Sequence, residues 1–142
     1  PTYLAWKADR EGISLSFIEL ANKINIEQPL RVIERFQNIT RNQSVKSVVI
    51  TGIGYKYGIS DTRETPAEEI YAQLISLGYE VFWHDEFVPE WKSRARWEFQ
   101  EADALIVLNK PSDNLAAMYL KEFTFILDCS GYFLKNSNVF QL

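Results

Sequence analysis

Within residues 52–66, GIGYKYGISDTRETP, five side chains able to bind or carry charge fall close together: Tyr55, Lys56, Asp61, Arg63 and Glu64. Lys56 is a point charge suited to phosphate, and Arg63 offers a planar fork for phosphate or carboxylate. Tyr55 gives a flat face for a base or a ribose. The same residues also suit a solvated loop with a local ion pair among Asp61, Arg63 and Glu64. Gly52, Gly54 and Gly58 permit a tight turn and a close approach of backbone to ligand. Their spacing is not that of the dinucleotide fingerprint, and no acidic residue clearly ends the next strand in the expected role; Asp85 is near the right distance but equally suits a turn in His84-Asp85-Glu86.

The elements that must position this loop are well signalled. The β-branched, mostly apolar run 45–51 reads as a strand buried on both faces. Thr65 and Glu68 form a capping-box pattern with Pro66 at the first helical position, so a helix is expected over 66–77, ended by Gly78. The loop therefore hangs over the C-terminal end of a strand, where open α/β sheets bind their ligands.

Alternation then continues, with strands expected at 80–83, 104–108 and 124–129 and helices near 90–100 and 113–120. Such alternation demands right-handed crossovers and a Rossmann-like parallel sheet flanked by helices, an α/β fold. Trp91, Trp97 and Phe99 suit core or interface aromatics, or a platform for a nucleobase.

Ahead of the sheet, residues 2–11 look helical and Gly12 breaks the pattern. Phe17, Leu20, Ala21 and Ile24 then share one helical face, and Leu30, Ile33 and Phe36 resume the spacing after Pro29. This predicts a long helix kinked or restarted near Pro29, followed by a polar linker over 38–44. The division expected is a helical arm over 1–43 and an α/β domain over 44–142. The arm carries more apolar surface than a small neighbouring domain need cover, which implies a partner.

The chain has 142 residues and a net charge of −4. That length can bury roughly two-thirds of its unfolded surface, enough for an autonomous core. The acidic balance, with no basic stripe, gives no footprint for nucleic acid. No apolar run approaches the ~20 residues of a membrane span, and a soluble, cytoplasmic protein is expected. Cys129 is the single cysteine and His84 the single histidine. Neither an intramolecular disulfide nor a usual zinc site can be built from them, and both read as structural strand-end residues.

The loop is similar to the AYK-x-x-x-x-D-x-R-E-S-P signature of the UDP-glucose/GDP-mannose dehydrogenase family, in its C-terminal UDP-binding domain. Other segments agree in order. YEVFWHDEFVP at 79–89 resembles the family's strand and HDPxVP turn, ADALIVL at 102–108 its ADAVVIL strand, and FILDCSG at 125–131 its late strand ending in Asp. PTYLAWKADREG and the following FIELANKIN resemble the start of the family's central helical region, and the branch acting on UDP-N-acetylhexosamines is the nearest in these segments.

The resemblance implies that Tyr55 and Lys56 contact a UDP-sugar and that Arg63 contacts NAD. Gly52, Gly54, Asp61 and Glu64 would support the loop. It implies a four-electron oxidation of a UDP-sugar C6 alcohol to a carboxylate, with two NAD and a thioester on a cysteine lying before Pro1 in the family's order. Neither that cysteine nor the NAD domain is in this sequence, so a C-terminal portion of such an enzyme, inactive alone, is expected. The family's central helices pack across a two-fold axis, which makes the arm a homodimer interface. Many members carry an arginine shortly after the late Asp, whereas Asp128 is followed here by Cys129, Ser130 and Gly131. The rival reading is a stand-alone nucleotide-binding or dimerising α/β module without catalytic activity.

Overall fold

A computed structural model describes residues 2–12, 15–134 and 136–142. Its elements are α1 (Thr2–Arg10), α2 (Ser16–Thr40), β1 (Ser47–Thr51), α3 (Ala67–Ser76), β2 (Glu80–His84), β3 (Ala104–Val107), α4 (Asp113–Glu122), β4 (Phe125–Asp128) and β5 (Val139–Gln141). The strands form one parallel sheet in the order β2-β1-β3-β4-β5.

Successive side chains of a strand point to opposite faces, and here both faces are covered. Val48, Ile50, Ala104, Ile106 and Leu127 face α3 and the second half of α2, where Ile70, Leu74, Ile33 and Phe36 complete the core. Val49, Leu105, Val107 and Ile126 face α4, through Ala116 and Tyr119, together with Trp97 and Phe123. The strands therefore read as continuous apolar runs rather than alternating ones.

Helix α3 begins one residue later than the capping-box pattern predicts, with Pro66 at the cap position. Thr65 Oγ1 does accept from Ala67 N at 3.3 Å, but the Glu68 carboxylate does not fold back. It accepts instead from Trp91 Nε1 at 3.0 Å and from Arg94 and Lys92, each at 2.8 Å, because three donors of one tertiary cluster outcompete a single local amide. At the other end Gly78 takes φ 87° and Tyr79 N bonds Leu74 O, which stops the helix as expected.

No helix forms over 90–100. Lys92, Ser93 and Phe99 all take positive φ, and residues 94–97 run along the outer edge of β2. Trp83 N donates to Ala95 O at 3.2 Å and Trp97 N to Trp83 O at 2.8 Å. The segment must carry the chain from one face of the sheet to the other, a path a helix lying on one face cannot take. It also satisfies backbone groups that an edge strand would leave open. A short fifth strand, β5, which the sequence reading had not placed, pairs with β4 in parallel.

Helix α2 is not restarted at Pro29; it runs from Ser16 to Thr40 with the proline inside, so residues 38–40 are helical rather than linker. Its apolar residues divide into two groups. Pro29, Val32, Ile33 and Phe36 are buried, while Phe17 (82% exposed), Leu20, Ala21, Ile24, Ile26 and Leu30 face outward. Leu30 thus leaves the stripe that spacing assigned to it, because Pro29 and Val32 occupy the face turned to the sheet. No helix among the described residues is long and apolar enough to cross a membrane.

Candidate functional site at the end of β1

The connection from β1 runs to one side, to β2, and that from β3 to the other, to β4, which opens a crevice beyond the C-terminal ends of β1 and β3. Residues 52–64 occupy that crevice. Gly52 leaves β1 at φ 72°, and a Cβ there would lie 2.6 Å from Asn109 N. A Cβ on Gly54 would lie 2.6 Å from Ile59 O. Both positions thus need glycine, Gly52 for conformation and space and Gly54 for space.

The loop then closes on itself. Tyr55 N donates to Asp61 O at 2.7 Å, Ile59 N to Lys56 O at 3.3 Å, and Gly58 turns the chain at φ 80°. This presents Tyr55, 60% exposed, with Lys56 Nζ 5.4 Å from its ring centroid. Tyr57 folds the other way, edge-on to Phe87. A flat aromatic face beside an exposed ammonium can stack on a ring and meet an anion together.

Arg63 and Asp61 form a local pair. Arg63 N and Nε donate to Asp61 Oδ1, each at 2.9 Å, and Nη2 donates to Oδ2 at 2.6 Å. These bonds, from side chain first and backbone second, hold the Asp61 carboxyl down at about 2 and push the guanidinium value up. Arg63 remains outermost, its side chain 88% exposed. Glu64 takes φ 54° and lines an open groove of about 620 Å³ against Asn22, Ile26 and Pro29 of α2. Among the described residues its carboxylate makes no hydrogen bond, so the two acidic residues expected to support the loop sit differently: Asp61 inside its bonding and Glu64 at its rim.

Beneath the loop is a cavity of about 20 Å³ lined by Gly52, Lys56, Asp85, Phe87, Asn109 and Lys110, among others. That is room for about one water, so a larger ligand lies on the outer surface of the loop unless the loop moves. Asp85 is a turn residue here, accepting from Gly54 N at 3.1 Å and Phe87 N at 2.9 Å. Arg96 donates to the carbonyls of Asp85, Val88 and Pro89 and braces the same turn. Asn109 was invisible to the sequence reading; its only signal is its place just past a buried strand.

The other strand ends are structural. His84 is buried, its Nδ1 3.2 Å from the Tyr119 hydroxyl, which in turn lies 3.0 Å from Thr51 Oγ1. Burial first, and Arg96 second, lower its pKa. Burial first and Asp128 second push the Cys129 thiol up to about 12, which makes it a poor nucleophile at neutral pH. Asp128 spends its carboxylate on Ser130 N and Oγ, Phe133 N and Gln141 Nε2. Trp91 and Trp97 are core residues, whereas Phe99 is exposed and packs edge-on against His84. No group of three or more potential metal ligands occurs among the described residues.

The UDP binding domain of the UDP-glucose/GDP-mannose dehydrogenase family matches residues 49–124, from the middle of β1 past the end of α4. This chain belongs to that family. A family relative, the UDP-N-acetyl-D-mannosamine dehydrogenase of Methanocaldococcus jannaschii, is 33% identical over 82 residues, which is 58% of this chain and 19% of the relative. A GDP-mannose dehydrogenase from Pseudomonas aeruginosa superposes with a TM-score of 0.77 at 18% identity, over 99% of this chain and 37% of that one. A UDP-D-ManNAc dehydrogenase from Pyrococcus horikoshii gives 0.71 at 22% identity, over 91% of this chain and 33% of that one. At these identities the two structures speak for the fold. The chain thus spans about a fifth of the curated relative's length and about a third of each solved chain. The family's UDP-binding unit includes the whole of the loop described above.

Proposed function

We propose that residues 44–142 bind the UDP moiety of a nucleotide sugar as part of an NAD-dependent 6-dehydrogenase, and that residues 1–43 are its helical dimerisation region. The intact enzyme would oxidise the sugar's C6 alcohol to a carboxylate in the cytoplasm. UDP-N-acetylglucosamine or UDP-N-acetylmannosamine is the preferred substrate, because a relative 33% identical over 82 residues is named for the latter.

The observation that carries this reading is the exposed Tyr55–Lys56 pair on a hydrogen-bonded loop at the crevice of a UDP binding domain. Tyr55 would stack on uracil or ribose, and Lys56 would meet the diphosphate. Arg63 fits a contact to NAD: its guanidinium is held by Asp61 through Nε and Nη2, its side chain is 88% exposed, and Nη1 makes no hydrogen bond among the described residues. NAD would supply the hydride acceptor, and most of its site would come from elsewhere in the enzyme.

Calorimetry with UDP at low salt tests the assignment. Lys56→Ala should remove a charge-assisted contact of roughly 1.5–3 kcal/mol, weakening UDP binding by about tenfold or more. Equal affinities would remove Lys56 from the site.

A further inference from the structure

We infer that Asp85 and Asn109 are positioning residues that together hold the Tyr55–Lys56 pair in place, a role that rests on reading this pair as the nucleotide contact. Gly54, the residue just before the pair, is gripped from both sides. Its N–H donates to Asp85 Oδ2 at 3.1 Å, and its carbonyl accepts from Asn109 Nδ2 at 2.5 Å. The same Nδ2 donates to Gly52 O at 2.9 Å. Asp85 directly follows β2 and Asn109 follows β3, so the loop leaving the central strand β1 is tied to both of that strand's neighbours.

The chemistry of the two side chains matches the two demands. One amide nitrogen carries two hydrogens, and here they meet two carbonyls; a carboxylate at the same place would offer only acceptors. Asp85 is buried and meets two amides, Gly54 N and Phe87 N, which a carboxylate satisfies with one oxygen each. The absence of a side chain at Gly52 and Gly54 lets the loop lie directly on Asn109 and Ile59, at distances where a Cβ would collide. The backbone is thereby fixed while Tyr55 stays exposed, and a contact pair ordered in advance loses less entropy on binding.

The test compares the wild-type chain with Asn109→Ala and Asn109→Asp, reading amide exchange over 52–63 and UDP affinity at pH 7 and pH 4.5. Asn109→Asp should loosen the loop and weaken UDP binding about three- to tenfold at pH 7, the worth of one or two hydrogen bonds. Relative to wild type it should recover in part at pH 4.5, because a carboxyl set against two carbonyl oxygens favours its neutral form, which regains one donor; Asn109→Ala should show the loss without the recovery. A purely structural side chain would give no such pH rescue. Unchanged exchange over 52–63 in both variants overturns the positioning role whether or not UDP binds. A loosened loop in a protein whose wild type binds no UDP instead discards the nucleotide reading. Should the variants fail to fold, the wild type still decides: the amide of Gly54, held by Asp85, must exchange more slowly than those of Lys56 and Tyr57, and equal rates would end the proposal.

Discussion

Trp91 and Trp97 stand six positions apart in sequence and on opposite faces of the sheet. The chain between them turns around the edge of β2, and Arg94 fills the turn. Its guanidinium lies 4.2 Å from the Tyr71 ring centroid and 4.1 Å from that of Trp91, with Nη2 2.8 Å from Glu68 Oε2. The two rings stand edge to face, with centroids 5.6 Å apart, so the guanidinium fills the corner they make while its Nη2 bonds Glu68.

Arg94→Lys should therefore destabilise the domain by about 1–3 kcal/mol, through weaker contacts with the two rings and a poorer hydrogen bond. Urea unfolding would report it as a lower midpoint at unchanged slope. A midpoint equal to wild type would show that the ring contacts contribute nothing.

The Asp61–Arg63 pair predicts a pH window. Asp61 titrates at about 2 when folded and at 3.8 in the reference state. A carboxyl lowered on folding supports the folded loop above its unfolded value, and that support is lost as pH falls from about 4 through about 2. Carboxyl-carbon NMR should place the Asp61 midpoint near 2, and Arg63→Ala should return it toward 3.8. A wild-type midpoint already near 3.8 would mean that the pair does not form in solution.

The outward face of α2 predicts association. Phe17, Leu20 and Ile24 stand exposed on a helix whose second half is committed to the sheet core. Leu20→Glu combined with Ile24→Lys would place two charges in an isologous contact and should convert a dimer to monomers with the α/β core intact. Sedimentation at micromolar concentration distinguishes the cases: a monomeric wild type, or a dimeric double variant, would count against the arm.

Catalysis makes a different demand. The 142 residues produced alone should form no NADH from NAD and UDP-sugars: what they match is the family's UDP binding domain, and their one cysteine, its thiol held up near 12 by burial, is a poor candidate for the thioester step. NADH from a pure preparation would show that these residues alone bind NAD and carry out at least the first, alcohol-to-aldehyde, oxidation.

Much of this arrangement was legible in the sequence because it is local. The apolar runs of β1, β3 and β4 and the glycine stop of α3 each signal within a few residues. The loop was legible for the same reason, its charges and glycines being crowded together. Residues 90–100 misled because mixed polar and aromatic residues satisfy helical spacing, while the edge of β2 that reshapes them is fixed only by the tertiary fold. Asn109 could not be foreseen, since its partners are backbone carbonyls 57 and 55 positions away and carry no side-chain signature.

Both rims of the sheet are shut to further strands. Residues 94–97 occupy the rim at β2, and at the other end β5 is three residues long, with its Gln141 carbonyl already bonded by Arg35 of α2 at 3.1 Å. Among the described residues a second molecule thus finds little free backbone on which to add a strand, which disfavours fibre-like growth of the sheet. If the helical arm pairs across a two-fold axis as proposed, association through it ends at a closed pair instead of an open chain.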